Sequence, residues 1–206
     1  MSACLQPGEH LCALGGDRQL IVCGPDAPNR AAIESFIRRI YRRRYGAQIK
    51  AFTPVLLGLL DEHEALIAAV GYRHASTEQL FLERYFDDPI EQVIAKTAST
   101  DLPRTGLAEV AHLVALRPGE GRHIMRALGT VLWTQGTRWI VSTVTQELRH
   151  LFLRVGITPL ALGIASPERL GDSAQDWGSY YSHEPVVLAV QLQQALRLNP
   201  RTVAGV

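Results

Sequence analysis

The stretch LAEVAHLVALRPGEGRHIMRALGTVLWTQGTRWIVSTVT (107–145) decides the fold. Its first part, LAEVAHLVAL (107–116), is apolar except for Glu109 and His112 and reads as a buried strand. RPGEGRHI (117–124) carries two glycines and two arginines. IMRALGTVLWTQG (124–136) has helical spacing, and TRWIVSTVT (137–145) is β-branched and returns to strand. A buried strand that runs into glycines and then a helix can aim free backbone N–H groups and a positive helix end at an anion. Gly119, Gly121, Arg122 and His123 therefore form a candidate phosphate loop, the alternative being a plain β–α turn.

Upstream, RQLIVCG (18–24) is a short strand, and Asp26 or Asn29 can cap a helix over 30–45. In that helix Ile33, Phe36, Ile37 and Ile40 share one face, while Arg38, Arg39, Arg42 and Arg43 share the opposite arc. Arg44 falls within the apolar face. FTPVLLGLLD (52–61) and ALIAAVGYRHA (65–75) read as an antiparallel pair joined by a polar turn. LFLERYFDDPIEQVIAKT (80–97) reads as a helix, a break at Asp87-Asp88-Pro89, and a second helix. Downstream, 147–156 has helical spacing and stops at Gly156. Residues 157–165 and 186–192 read as strands around a polar, turn-rich segment. Strands alternate with helices only in the second half. The fold class is thus α/β (α+β), a mixed, mostly antiparallel central sheet flanked by helices. Residues 1–206 form one domain, with 1–17 a loosely ordered lead-in.

A net charge of +1 gives no global case for nucleic acid or membrane as partner. Cys4, Cys12 and Cys23 are three in number and widely spaced, which fits neither a disulfide framework nor a metal site. Nothing approaches the ~18 apolar residues of a membrane span. The start lacks a basic region followed by an apolar one, so a cytoplasmic location is expected.

This order of elements resembles the GNAT N-acyltransferase fold, especially its acyl-homoserine-lactone synthase branch. The strand, pyrophosphate loop, helix, strand and glycine-ended helix of that fold look like 107–116, 117–122, 123–136, 138–145 and 147–156. A closer resemblance is to the thermostable hemolysin family, carried by GYRHA (71–75), LFLERYFDDPIE (80–91), AEVAHL (108–113), Gly136-Thr137-Arg138-Trp139, and WGSYY with the following EP (177–185). The loop departs from the acetyltransferase spacing Q/R-x-x-G-x-G/A, because its glycines come one residue early around Glu120.

The resemblance implies an acyltransferase that moves an acyl group from a thioester to an amine. The donor is an acyl-CoA or an acyl group on the phosphopantetheine of a carrier protein, and no metal is needed. It would lie along the strand at Leu113 and Ala115, with its phosphates at Gly119, Gly121, Arg122 and His123. The lactone synthases carry a glutamate in a similar strand, which makes Glu109 a general base or amine anchor; a structural ion pair is the alternative. Strand alternation puts His112 on the opposite face from Glu109 unless a bulge intervenes. His112 is then a proton carrier or a core histidine. Tyr181 is a candidate to protonate the leaving thiolate, and Trp177 to wall the pocket. Glu83 and Glu91 can hold an acceptor ammonium or cap helices. Arg73 can pair with Glu109 or with an acceptor carboxylate, and Arg44 is a further substrate contact. Arg38, Arg39, Arg42 and Arg43 offer a docking face for an acidic acyl carrier protein. Two other classes stay open: a membrane-active protein, as the family's name implies, and an inactive GNAT scaffold that only binds a ligand.

Overall fold

The computed structural model describes residues 10–13, 18–154 and 156–197. In chain order these form β1 (His10–Ala13), β2 (Gln19–Cys23), α1 (Arg30–Tyr45), β3 (Val55–Leu60) and β4 (Leu66–His74). α2 (Ile90–Ala98), β5 (Leu107–Ala115), α3 (Glu120–Thr134), β6 (Trp139–Val144) and α4 (Gln146–Arg154) follow. β7 (Leu160–Ile164), β8 (Val186–Gln191) and α5 (Leu192–Arg197) close the described chain. The strands make one sheet in the order β1-β2-β3-β4-β5-β6-β8-β7. β5 and β6 are parallel and joined by α3, whereas the other neighbours are antiparallel.

Helices cover both faces. α3 packs Ile124, Leu128, Val131 and Leu132 onto one face with Leu192 of α5. The other face receives α1 through Ile33, Phe36 and Ile37, and farther along it α2 through Ile90 and Ile94. Each contact uses the apolar arc that helical spacing predicts.

Two expectations are modified. Part of the lead-in is ordered, since residues 10–13 pair with β2 as an edge strand; residues 1–9 and 14–17 lie outside the described residues. The segment before Pro89 is a short 3₁₀ helix, Phe81–Tyr85. Glu83 joins it to α2: its carboxylate accepts from the Leu80 N–H at the start of this helix, at 2.8 Å, and from the Ile90 N–H beyond the break, at 3.1 Å.

Candidate active site

The site grows from two irregularities of β5. The first is a bulge. Ala69 pairs with Val114 and Gly71 with Ala111, so one residue of β4 faces both His112 and Leu113. His112 absorbs the extra residue with φ +60°, a left-handed conformation uncommon outside glycine, asparagine and aspartate. The bulge reverses the alternation. Leu107 packs toward the α2 side, Ala108 and Val110 toward α3, and Val114 toward α1. Glu109 and His112 therefore share one face, as they would not in a regular strand.

The second irregularity is a splay. β5 and β6 pair only from Leu107–Trp139 to Glu109–Val141. Beyond that, the Ser142 hydroxyl donates to the Val110 carbonyl at 2.7 Å and the strands part. Three cavities open around the gap. A groove of ≈ 540 Å³ runs between α1, the outer end of β5, the 117–122 turn and the start of α4. An apolar chamber of ≈ 160 Å³ goes down between β6, β8, α3 and α5. A pocket of ≈ 270 Å³ opens on the other side, under Trp177 and the 81–85 helix. Tyr41 lines all three. Val110, Ala111, His112, Thr143 and Tyr180 line both the chamber and the pocket, so the cavities meet there.

Glu109 is buried, and its oxygens are engaged. They accept from the N–H groups of Phe81 at 2.8 Å and Leu82 at 3.1 Å. Arg73 Nε lies 3.2 Å away, and Arg73 also bonds Glu78 at 2.9 Å. Burial raises the Glu109 pKa, against the pull of Arg73 and the two N–H groups. His112 differs. It is 8 % exposed, packs edge-on to Tyr41 with ring centroids 6.5 Å apart, and lies 5.1 Å from Phe52. Its ring nitrogens have no hydrogen-bond partner among the described residues. Burial, aided by the charges of Arg73 and Arg30, lowers its pKa to about 3. At neutral pH it is an uncharged imidazole with a free lone pair.

The aromatic side chains come from α1 and the 177–181 segment. Gly178 makes their approach possible. Its φ is +53°, and a Cβ there would lie 2.0 Å from the Tyr45 carbonyl oxygen, which already accepts from Ser179 N–H at 2.8 Å. Trp177 thereby walls the pocket. Tyr181 lies behind it, its hydroxyl 2.6 Å from that of Tyr85. Tyr180 stands at the junction and donates to the Thr143 carbonyl at 3.2 Å. The Tyr41 hydroxyl has no hydrogen-bond partner among the described residues, and burial keeps it protonated.

At the far end of the groove, Leu113, Ala115, Gly119, Gly121 and Arg122 all line the wall. His123 is on the same helical turn, near the Arg18–Glu120 ion pair. Arg44 also lines this groove and pairs with Glu147, which ties α1 to α4 across it. Glu83 and Glu91 are elsewhere, both bonded to Arg104 Nη1 at 2.6 Å. Of the basic arc, Arg38 bonds the Ile49 carbonyl at 3.2 Å and Arg39 stacks over Phe36, while Arg42 and Arg43 are exposed in the last turn of α1. Among the described residues no group of three or more His, Cys, Asp or Glu is placed to hold a metal ion. No described helix is long and apolar enough to cross a membrane.

Sequence reasoning missed Tyr41, Tyr180, Thr143 and Arg104. Tyr41 reads as one more core position on the apolar side of α1, and Arg104 as a loop cation. Only the splay and the packing of distant segments give them partners.

A sheet splayed between its two parallel strands, with a glycine turn and helix at the opening, defines a GNAT-like fold. Solved structures of that class agree. TofI bound to an inhibitor and MTA superposes with a TM-score of 0.59 at 14% identity, covering 87% of this chain and 95% of TofI. FeeM, an N-acyl amino acid synthase from uncultured soil microbes, gives 0.58 at 13% identity, covering 86% and 92%. The AHL synthase LasI gives 0.58 at 10% identity, covering 94% and 96%. The chain belongs to the thermostable hemolysin family, whose profile it matches over residues 23–196. No curated protein matches the sequence.

Proposed function

We propose that this protein is an N-acyltransferase that moves an acyl group from a CoA or carrier-protein thioester to the amine of an amino acid or related metabolite. The observation that carries this is the meeting of three cavities at the β5 bulge, with an unpartnered imidazole among them. A thioester needs a groove for its pantetheine arm, a dry space for its acyl chain and a separate entrance for the amine. The groove fits the arm, with phosphates on the 117–122 turn beside Arg117 and Arg122. The chamber fits the chain, being walled by Val110, Met125, Ile140, Val144 and Leu188. Its size resembles that of cavities that hold a hydrocarbon of about six carbons.

In the reaction the amine nitrogen bonds to the carbonyl carbon and the C–S bond breaks. The amine loses one proton and the thiolate gains one, giving amide and free thiol. His112 receives the proton as attack makes the nitrogen acidic, and the Tyr41 hydroxyl donates to the leaving sulfur. A backbone N–H released from the ladder by the bulge polarises the carbonyl. Glu109 acts by position: it ties the 81–85 helix and Arg73 to β5. A product with a hydrocarbon chain and an amino-acid head is an amphiphile, which offers a route to lysis that requires no membrane-spanning segment.

The deciding experiment is thermal unfolding with CoA, acyl-CoAs of increasing length and an acylated carrier protein. A donor that binds the native state raises Tm with concentration. No shift with any thioester would remove the groove assignment.

Gly129 gives a length test. It is inside α3, where glycine costs about 1 kcal/mol against alanine. A Cβ there would lie 3.4 Å from Leu196 Cδ2, on the chamber wall. Gly129→Leu fills that end and is expected to shift preference toward shorter acyl chains. Loss of about four buried methylenes, at ~0.8 kcal/mol each, corresponds to roughly 200-fold against the longer donor. An unchanged chain-length profile would place the acyl group elsewhere.

Arg42 and Arg43 supply the docking face for a carrier protein next to the groove mouth. Reversing both charges is expected to raise KM for the acylated carrier protein about tenfold more than KM for the matching acyl-CoA. Equal effects on the two donors would dismiss carrier docking there.

A further inference from the structure

The pocket under Trp177 is lined by one cation that no carboxylate among the described residues pairs, and that residue points to the charge of the acceptor. Its lining holds three cations, Lys50, Arg73 and Arg84, and two carboxylates, Glu109 and Asp176. Lys50 pairs with Asp176 at 2.7 Å, and Arg73 is held between Glu78 and Glu109. Arg84 alone of the three has no carboxylate within ion-pair distance among the described residues. It is held instead over the Phe81 ring, its guanidinium carbon 4.9 Å from the centroid. Arg84 is exposed at the rim of the pocket, and a guanidinium over an aromatic face can still donate from its edge N–H groups. The His112 imidazole, more than nine-tenths buried, also lacks a partner in this pocket among the described residues, as do the Tyr41 hydroxyl and Thr143 Oγ1. The lining also includes Phe81, Trp177, Tyr180 and Ile49.

We infer that this pocket selects an acceptor bearing a carboxylate, an α-amino acid with an uncharged side chain, and that Arg84 is the residue that reads the carboxylate. This rests on the acyltransferase reading and narrows its acceptor. The amine end faces His112, the carboxylate lies on Arg84, and the side chain rests on the aromatic wall. A guanidinium binds a carboxylate by two parallel N–H donors, which a carboxamide cannot accept equally. A sulfonium or polyamine acceptor would add positive charge beside Arg73 and Arg84 and is disfavoured. The carboxylate also offsets the positive field around His112 as the imidazole takes its proton, so binding and proton transfer favour the same class of acceptor.

The test measures thiol release from a bound acyl donor, acyl-CoA or acylated carrier protein, with L-leucine, L-phenylalanine and the two corresponding carboxamides. Native protein is expected to favour the acids over the amides by ~10–100-fold in kcat/KM, mostly through KM. In Arg84→Gln that ratio is expected to fall to near one, and Arg84→Lys to restore part of it. Release from acids and amides alike in the native protein would overturn the carboxylate assignment while leaving acyl transfer standing. A ratio that survives in Arg84→Gln would move the contact to another cation. Absence of release with every amine, from a donor that raises Tm, would overturn both this inference and the acyltransferase reading.

Discussion

Glu109→Ala is expected to cost roughly 3–5 kcal/mol of folding stability. The carboxylate is 3 % exposed and accepts from two backbone N–H groups of the 81–85 helix, with Arg73 beside it. Alanine leaves both N–H groups without an acceptor, removes one of the two carboxylates that balance Arg73, and opens a cavity in β5. For a domain of this size, with each kcal/mol worth ~2–4 °C, Tm would drop by roughly 10 °C. Glu109→Gln keeps the shape and one good acceptor, so it should lose less. The pair separates two roles. A positioning carboxylate predicts that kcat of Glu109→Gln, measured below its Tm, stays within about tenfold of native. A general base predicts a fall of ~10²–10⁴-fold with little change in Tm. Chemical denaturation and steady-state kinetics on the two variants decide between them.

His112→Asn is expected to lower kcat by ~10²–10⁴-fold with the fold retained. Asparagine tolerates the left-handed backbone that the bulge imposes, so the variant removes the imidazole and not the bulge. The same histidine sets a pH dependence. Its folded pKa is depressed to about 3 from an ordinary value of 6.5, so the unfolded chain binds a proton that the folded one does not. Its contribution to stability is complete above pH 6.5 and is lost progressively as pH falls from there toward 3. His112→Asn lacks that component, and its stability should decline less steeply across the same window. Native-like turnover in a folded His112→Asn protein would assign the proton to water or to another side chain.

The sequence alone determined the unit from β5 through the 117–122 turn and α3 to β6, the apolar face of α1, and the β3–β4 pair. These rest on local periodicity, which a chain displays whatever it packs against. It also marked Glu109 and His112, because polar residues in an otherwise apolar strand are conspicuous. Tertiary structure decided what those residues do. The bulge that turns His112 onto the face of Glu109 exists only in the register between β5 and β4. The hydrogen bonds that occupy Glu109 come from a helix that its own segment does not encode. Tyr41, Thr143 and Tyr180 converge because β5 and β6 part after three paired positions. Arg104 draws Glu83 and Glu91 away from the pocket to a cluster of their own. Helix and strand periodicity follow from neighbours along the chain; hydrogen-bond partners, cavities and unbalanced charges follow from neighbours in space.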